Sequence, residues 1–103
     1  MSSLRMPQSF LRRLGADAGD AVLNYEIMGE QAASLGRAGR KVELALAALK
    51  AADAEARPAC LKAASDAVWA FLIQREIMGL RDRDRVVAEY AIPREVMARL
   101  GAR

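Results

Sequence analysis

The sequence predicts an all-α chain: an antiparallel hairpin of two long helices with short N- and C-terminal helices, completing a four-helix core as a homodimer. Three observations carry this. Of 103 residues, 22 are Ala and 12 are Leu, against 6 Val, 4 Ile and no Thr. Helix formers therefore dominate and strand formers are scarce. Apolar residues recur at steps of three and four rather than in alternation. Proline stands only at positions 7, 58 and 93, so long stretches run without a breaker. The length suits one domain. Residues 1–16 form a short basic N-terminal helix, 17–80 the long hairpin, and 81–101 a short helix-turn-helix cap.

Residues 1–16 carry Arg5, Arg12 and Arg13 and no acid, among Leu4, Met6, Phe10, Leu11 and Leu14. Pro7 fits the first turn of a short amphipathic helix and Gly15 stands just past its end. An Arg-rich, Ser-containing, acid-free start has the composition of a transit peptide, but the preferred reading is a helix that docks on the body. The next helix starts after Asp17 or Asp20, both N-cap residue types. No proline follows until Pro58. Its stripe of apolar or small residues reads Val22, Tyr25, Met28 or Gly29, Ala32, Leu35 or Gly36, Gly39, Val42, Leu46 and Leu49. About 32 helical residues are about 48 Å long. The weak point is Gly36-Arg37-Ala38-Gly39, because an interior Gly costs up to about 1 kcal/mol relative to Ala. Whether the helix continues or breaks there is open.

Asp53 to Arg57 is a polar connection, and Pro58 suits a first helical turn. The helix it opens runs to about Leu80. Its middle, Ala67 to Ile73, is apolar on every face, the mark of a buried helix. Arg81-Asp82-Arg83-Asp84-Arg85 alternates in sign and reads as a solvated connection with an N-cap inside it. A short helix from about Arg85 to Tyr90 follows. Pro93 bars Ile92 from helical geometry and starts a last helix to Leu100, with Gly101 after it.

A connection of about five residues makes the two long helices antiparallel neighbours. If Ala52 faces Pro58, the numbers of facing residues sum to about 110. The bulky Trp69, Phe71 and Leu72 then meet the smallest stretch of the other helix, with Ala32, Gly36 and Gly39 as its packing positions. Missing side chains let large rings lie close to backbone at native density. The same pairing sets Glu76 near Arg37. A hairpin of this kind buries only the stripe between its helices. Ala67 to Ile73 is apolar all round, and Leu23, Ile27 and Leu44 lie outside the main stripe of their helix. Two hairpins about a two-fold axis would bury the remainder, which is the basis of the homodimer expectation.

The chain has no His. That removes the commonest general base, the Ser-His and Cys-His nucleophile pairs and imidazole metal sites. A single Cys60 excludes an intrachain disulfide and any Cys-pair metal motif. No Gly-rich phosphate loop is present. The antiparallel pairing also sets Glu26 near the Arg81 to Arg85 run. Glu26 and Glu76 thus each read as partners of arginines in ordinary ion pairs rather than as metal ligands, because dimetal bundles normally add Glu-x-x-His. Tyr25 and Tyr90 read as amphipathic residues at the core edge. The expectation is therefore a protein that is not an enzyme, with no catalytic residue, no cofactor and no metal. The net charge of +3 is too small to imply nucleic acid by itself. A lone thiol without an export signal points to the cytoplasm, and no apolar run is long enough for a membrane.

The function these readings favour is a small non-enzymatic helical homo-oligomer, a scaffold or protein-interaction module whose first partner is itself and whose other protein partner is unknown. The alternative is a DNA-binding regulator using residues 85–100 as a helix-turn-helix, with Arg94 and Arg99 pointing outward. No Asn, Gln or Lys accompanies those arginines, which is thin for base readout.

The segments Leu23-Asn24-Tyr25-Glu26-Ile27, Ala33 to Arg40, Val68-Trp69-Ala70-Phe71 with Gln74-Arg75-Glu76, Gly79-Leu80-Arg81-Asp82 and Ile92 to Val96 together resemble a family of short bacterial proteins that carries only a domain-of-unknown-function label. The resemblance covers about residues 20–101. It implies no activity, cofactor or site residue.

Overall fold

The computed structural model describes residues 18–102, with side chains from residue 21 onward. The helix expected over residues 1–16 and the cap at Asp17 lie outside the described residues, while Asp20, the other cap considered, lies inside the first described helix rather than ahead of it. Four helices and no strand occur among those that are described: α1 (Ala18–Ala51), α2 (Arg57–Ile77), α3 (Arg83–Tyr90) and α4 (Arg94–Ala98). The chain divides into two units, Met1–Ala33 and Ser34–Arg103.

In the first unit the described part is the opening half of α1. Ala21 is half-buried, and every residue from Val22 to Ala33 is exposed. Tyr25 is 82% exposed, so it is no core-edge residue. Ala32, expected against the second long helix, is exposed as well.

The second unit holds the core. Val42 and Leu49 of α1 meet Ala64, Val68, Phe71 and Leu72 of α2, Val86 of α3, Ile92, and Val96 of α4. The α1–α2 pair is the expected antiparallel hairpin. Gln74 Nε2 donates to Ser34 Oγ at 2.9 Å near one end. At the other, Asp53 Oδ1 accepts from the Ala56 N–H at 2.8 Å and closes the connecting turn. Pro58 lies in the first turn of α2, where its missing N–H leaves no bond unmade.

Helix α1 passes through Gly36 and Gly39 without a break. The two glycines differ in surroundings. A Cβ placed on Gly39 would lie 2.7 Å from Tyr90 Oη and 3.4 Å from the Phe71 ring, whereas one on Gly36 would meet nothing within 4 Å. Gly36 therefore does not pack against α2 as expected, because it sits about 60° further round the helix than Gly39. The expectation that Ala67 to Ile73 is buried on all sides also fails. Phe71 and Leu72 are buried, but Trp69 is 41% exposed and Ala70 is exposed. The Trp69 ring stands 3.8 Å from where a Cβ on Gly101 would be, over the chain's C-terminal turn rather than over α1.

Helices α2 and α3 end in the same way. Leu80 N–H donates to the Arg75 carbonyl at 2.8 Å and Gly79 N–H to the Glu76 carbonyl at 3.0 Å, with Gly79 at φ +86°. Ile92 N–H donates to the Val87 carbonyl at 3.0 Å, with Ala91 at φ 51°. Both are Schellman closures around a left-handed residue. Pro93 then opens α4, which ends at Ala98, two residues short of the expected Leu100.

Candidate functional site

Three polar crossings hold the short helices on the hairpin. Arg75 Nη2 donates to Asp82 Oδ1 at 2.6 Å, and the same guanidinium lies 5.7 Å over the Phe71 ring. The N-cap expected within Arg81 to Arg85 falls at Asp82, whose side chain makes no cap bond. The hydrogen bond from Arg75 holds its carboxyl below the usual carboxylate range, against a smaller opposing effect of desolvation. Arg83 Nε donates to Glu76 at 2.8 Å, so Glu76 pairs across the α2–α3 turn and not with Arg37. Arg57 and Glu95 form a two-pronged pair that ties the start of α2 to the first turn of α4. That bond lowers the Glu95 pKa and raises the Arg57 pKa.

Beneath these pairs the Phe71 and Tyr90 rings meet edge to face at 5.3 Å, with the Tyr90 hydroxyl over the bare backbone of Gly39. Of the packing residues read from the sequence, Gly39, Phe71 and Leu72 are thus brought together in the core, while Ala32, Gly36 and Trp69 are not. Tyr90 belongs to that cluster and was read only as an edge residue. Its signal was the short helix that ends at Tyr90, ahead of the turn leading to Pro93.

Arg94 and Arg99 are both exposed, at the two ends of α4. That helix has five residues. Val96 is fully buried, its carbonyl accepting from the buried Ser65 hydroxyl at 3.4 Å. The side chains free to reach a ligand from α4 are few. Among the described residues, no three metal-capable side chains gather at one point, and no helix is long and apolar enough to cross a membrane.

One surface open to a partner lies on the opening half of α1. Val22, Leu23, Tyr25, Ile27 and Met28 are five large apolar side chains within seven residues, all exposed. Isolated exposed apolar residues are ordinary; a run of this density marks an interaction surface. Of the apolar stripe read from the sequence, Gly39, Val42 and Leu49 are buried and Leu35 and Leu46 are partly buried, while Val22, Tyr25, Met28 and Ala32 are exposed. The surface is also patterned in charge. From Ala18 to Ala33 the acids are Asp20, Glu26 and Glu30, with no base. From Ser34 to Ala51 the bases are Arg37, Arg40, Lys41 and Lys50, against Glu43 alone. Arg40 approaches Glu43 at 3.9 Å, while Glu26, Glu30, Arg37 and Lys41 make no ion pair among the described residues. Arg37 and Lys41 border an open groove of about 250 Å³ whose far wall is Ala67 and Ala70 of α2.

Against family models, residues 2–103 match the family of unknown function DUF6665. No curated protein and no solved structure matches the chain.

Proposed function

We propose, from the premise that the chain belongs to DUF6665, that this protein is a non-enzymatic helical module that works by associating with itself and presenting the resulting surface to other proteins. Family membership assigns no activity, so the reading rests on the molecule. The observation that carries it is the exposed apolar run from Val22 to Met28, in a stretch of α1 where every residue from Val22 to Ala33 is exposed. A stretch of helix this short and this unpartnered is marginal in water on its own. Apolar area of this kind is removed from water most simply by a second copy, and two-fold dimers are the commonest assembly.

Gel filtration coupled to light scattering tests the reading at micromolar concentration. The expected mass is near twice the 11.2 kDa of one chain. A mass of one chain, unchanged as concentration rises, overturns it. Retention on heparin in the same samples addresses the DNA-binding alternative through Arg94 and Arg99. Self-association without salt-sensitive retention favours the module. Strong retention that falls steeply with salt favours the regulator.

A further inference from the structure

We propose that the outer face of α1 sets the register of self-association: residues 23–30 of one copy lie antiparallel on residues 37–44 of a second, and the reverse. The proposal rests on the self-association reading above and adds the contact that makes it specific. Leu23, Glu26 and Glu30 follow one another at steps of three and four. Arg37, Lys41 and Leu44 follow at steps of four and three. The two triplets mirror each other in spacing and carry opposite charge. Laid antiparallel, Glu30 meets Arg37, Glu26 meets Lys41 and Leu23 meets Leu44, all in a single register. A two-fold axis between positions 33 and 34 makes each match occur twice, as an isologous interface requires.

Exposure agrees with this assignment. Leu23 is 52% and Leu44 54% exposed, and the four charged residues are exposed too. At the axis stands the small, exposed Ala33, which lets two helices approach closely; Ser34 beside it is half-buried, its hydroxyl bonded to Gln74 of α2. Within one copy the same charges are badly arranged. Glu26 and Glu30 are like charges at i and i+4, as are Arg37 and Lys41, and such neighbours destabilise a helix. Glu30 and Arg37 are seven positions apart, outside the three- and four-residue spacings at which side chains on one helix are neighbours. A helix stabilised by its own ion pairs would interleave the signs. Here each block needs the opposite block from elsewhere, and the second copy supplies it in register with the leucines. Val22 and Ile27 flank Leu23 and extend the apolar end of the contact.

Charge inversion tests the register. The two double variants are Glu26→Lys/Glu30→Lys and Arg37→Glu/Lys41→Glu, studied as full chains by light scattering, with circular dichroism to establish that each is helical. Each is expected at the mass of one chain, because each opposes like charges four times over. An equimolar mixture is expected to return to twice that mass, since the inverted blocks then face each other correctly. The quadruple variant, with all four signs exchanged, is expected to pair with itself, so the proposal stays falsifiable if one double variant misfolds. Double variants that keep the wild-type dimer mass overturn the register and leave self-association standing on another face. So does a mixture, or a quadruple variant, that stays at one chain's mass. A wild type that is monomeric throughout overturns both readings.

Discussion

Gly36 and Gly39 lie three positions apart on one helix and should respond to a side chain in opposite ways. An alanine at position 36 meets nothing within 4 Å. Gly36→Ala therefore keeps only the gain in helix propensity and is expected to raise stability by about 1 kcal/mol. Gly39→Leu drives a branched side chain into Tyr90 and Phe71 in a filled core. Overpacking of this kind is expected to outweigh the same gain and cost about 3 kcal/mol net. Thermal melts separate the two, at roughly 4–8 °C per kcal/mol for a domain of this size. The reason Gly39 is a glycine was legible in the sequence, because antiparallel pairing opposes it to Phe71. The exposure of Gly36 was not, since small residues at adjacent turns look alike until the helix is rotated into place. A second pair of sites turns on backbone alone. Gly79 and Ala91 hold the same left-handed position in two equivalent helix ends. Left-handed geometry costs a residue with a Cβ about 1–2 kcal/mol. Ala91→Gly is expected to stabilise by about 0.5–1 kcal/mol after the entropy of the unfolded chain is counted, and Gly79→Ala to destabilise by about 1 kcal/mol. Denaturant midpoints check both. No residue type at position 91 announces its conformation, because Gly or Asn is usual there.

At the scale of elements, breakers were the legible signal. Pro58 and Pro93 mark the starts of α2 and α4 within a residue or two of where they fall, whereas α2 ends at Ile77, three residues short of the expected Leu80. The charged connection before α3 was harder. Alternating signs predict solvation and a cap, yet which acid meets which base depends on how a turn closes. Asp82 turned back to Arg75, and Glu76 reached forward to Arg83. This arrangement has a pH consequence. Asp82 and Glu95 both titrate below the usual carboxylate range because Arg75 and Arg57 donate to their charged forms. A carboxylate with a depressed folded-state pKa contributes stability above its unfolded value and loses it as pH falls through the folded value. The attachment of α3 and α4 to the hairpin is therefore expected to be flat in pH above about 5 and to weaken through the acid range below it. Melting curves of the wild type and of Asp82→Asn and Glu95→Gln from neutral to acid pH check this. Each variant should melt lower than the wild type at neutral pH and show a smaller further loss on acidification.

For the molecule as a whole, the hydrophobic periodicity of α1 was legible and its coverage was not. A stripe at steps of three and four states that a helix has a buried face, but not which turns find a partner. Only arithmetic hints at it: α1 has 34 residues and α2 has 21. The charge blocks at Glu26, Glu30, Arg37 and Lys41 are readable from sequence alone, yet they gain meaning only once all four are known to be exposed on one unbroken helix. The proposed register then makes a prediction about dynamics. Residues 22–33 bury nothing in one copy, so their backbone hydrogen bonds open with little resistance unless a second copy covers them. Residues 40–51 are held by the core through Val42 and Leu49 in any state of assembly. Association stabilises what it covers by mass action. Amide exchange within residues 22–33 is therefore expected to slow as protein concentration rises from nanomolar to tens of micromolar, while amides of residues 40–51 stay protected at every concentration. In the Glu26→Lys/Glu30→Lys variant the concentration dependence should vanish and the fast rate remain. Protection of residues 22–33 that is already high at the lowest concentration, or that never changes, would show that a second copy is not what holds this half of the helix.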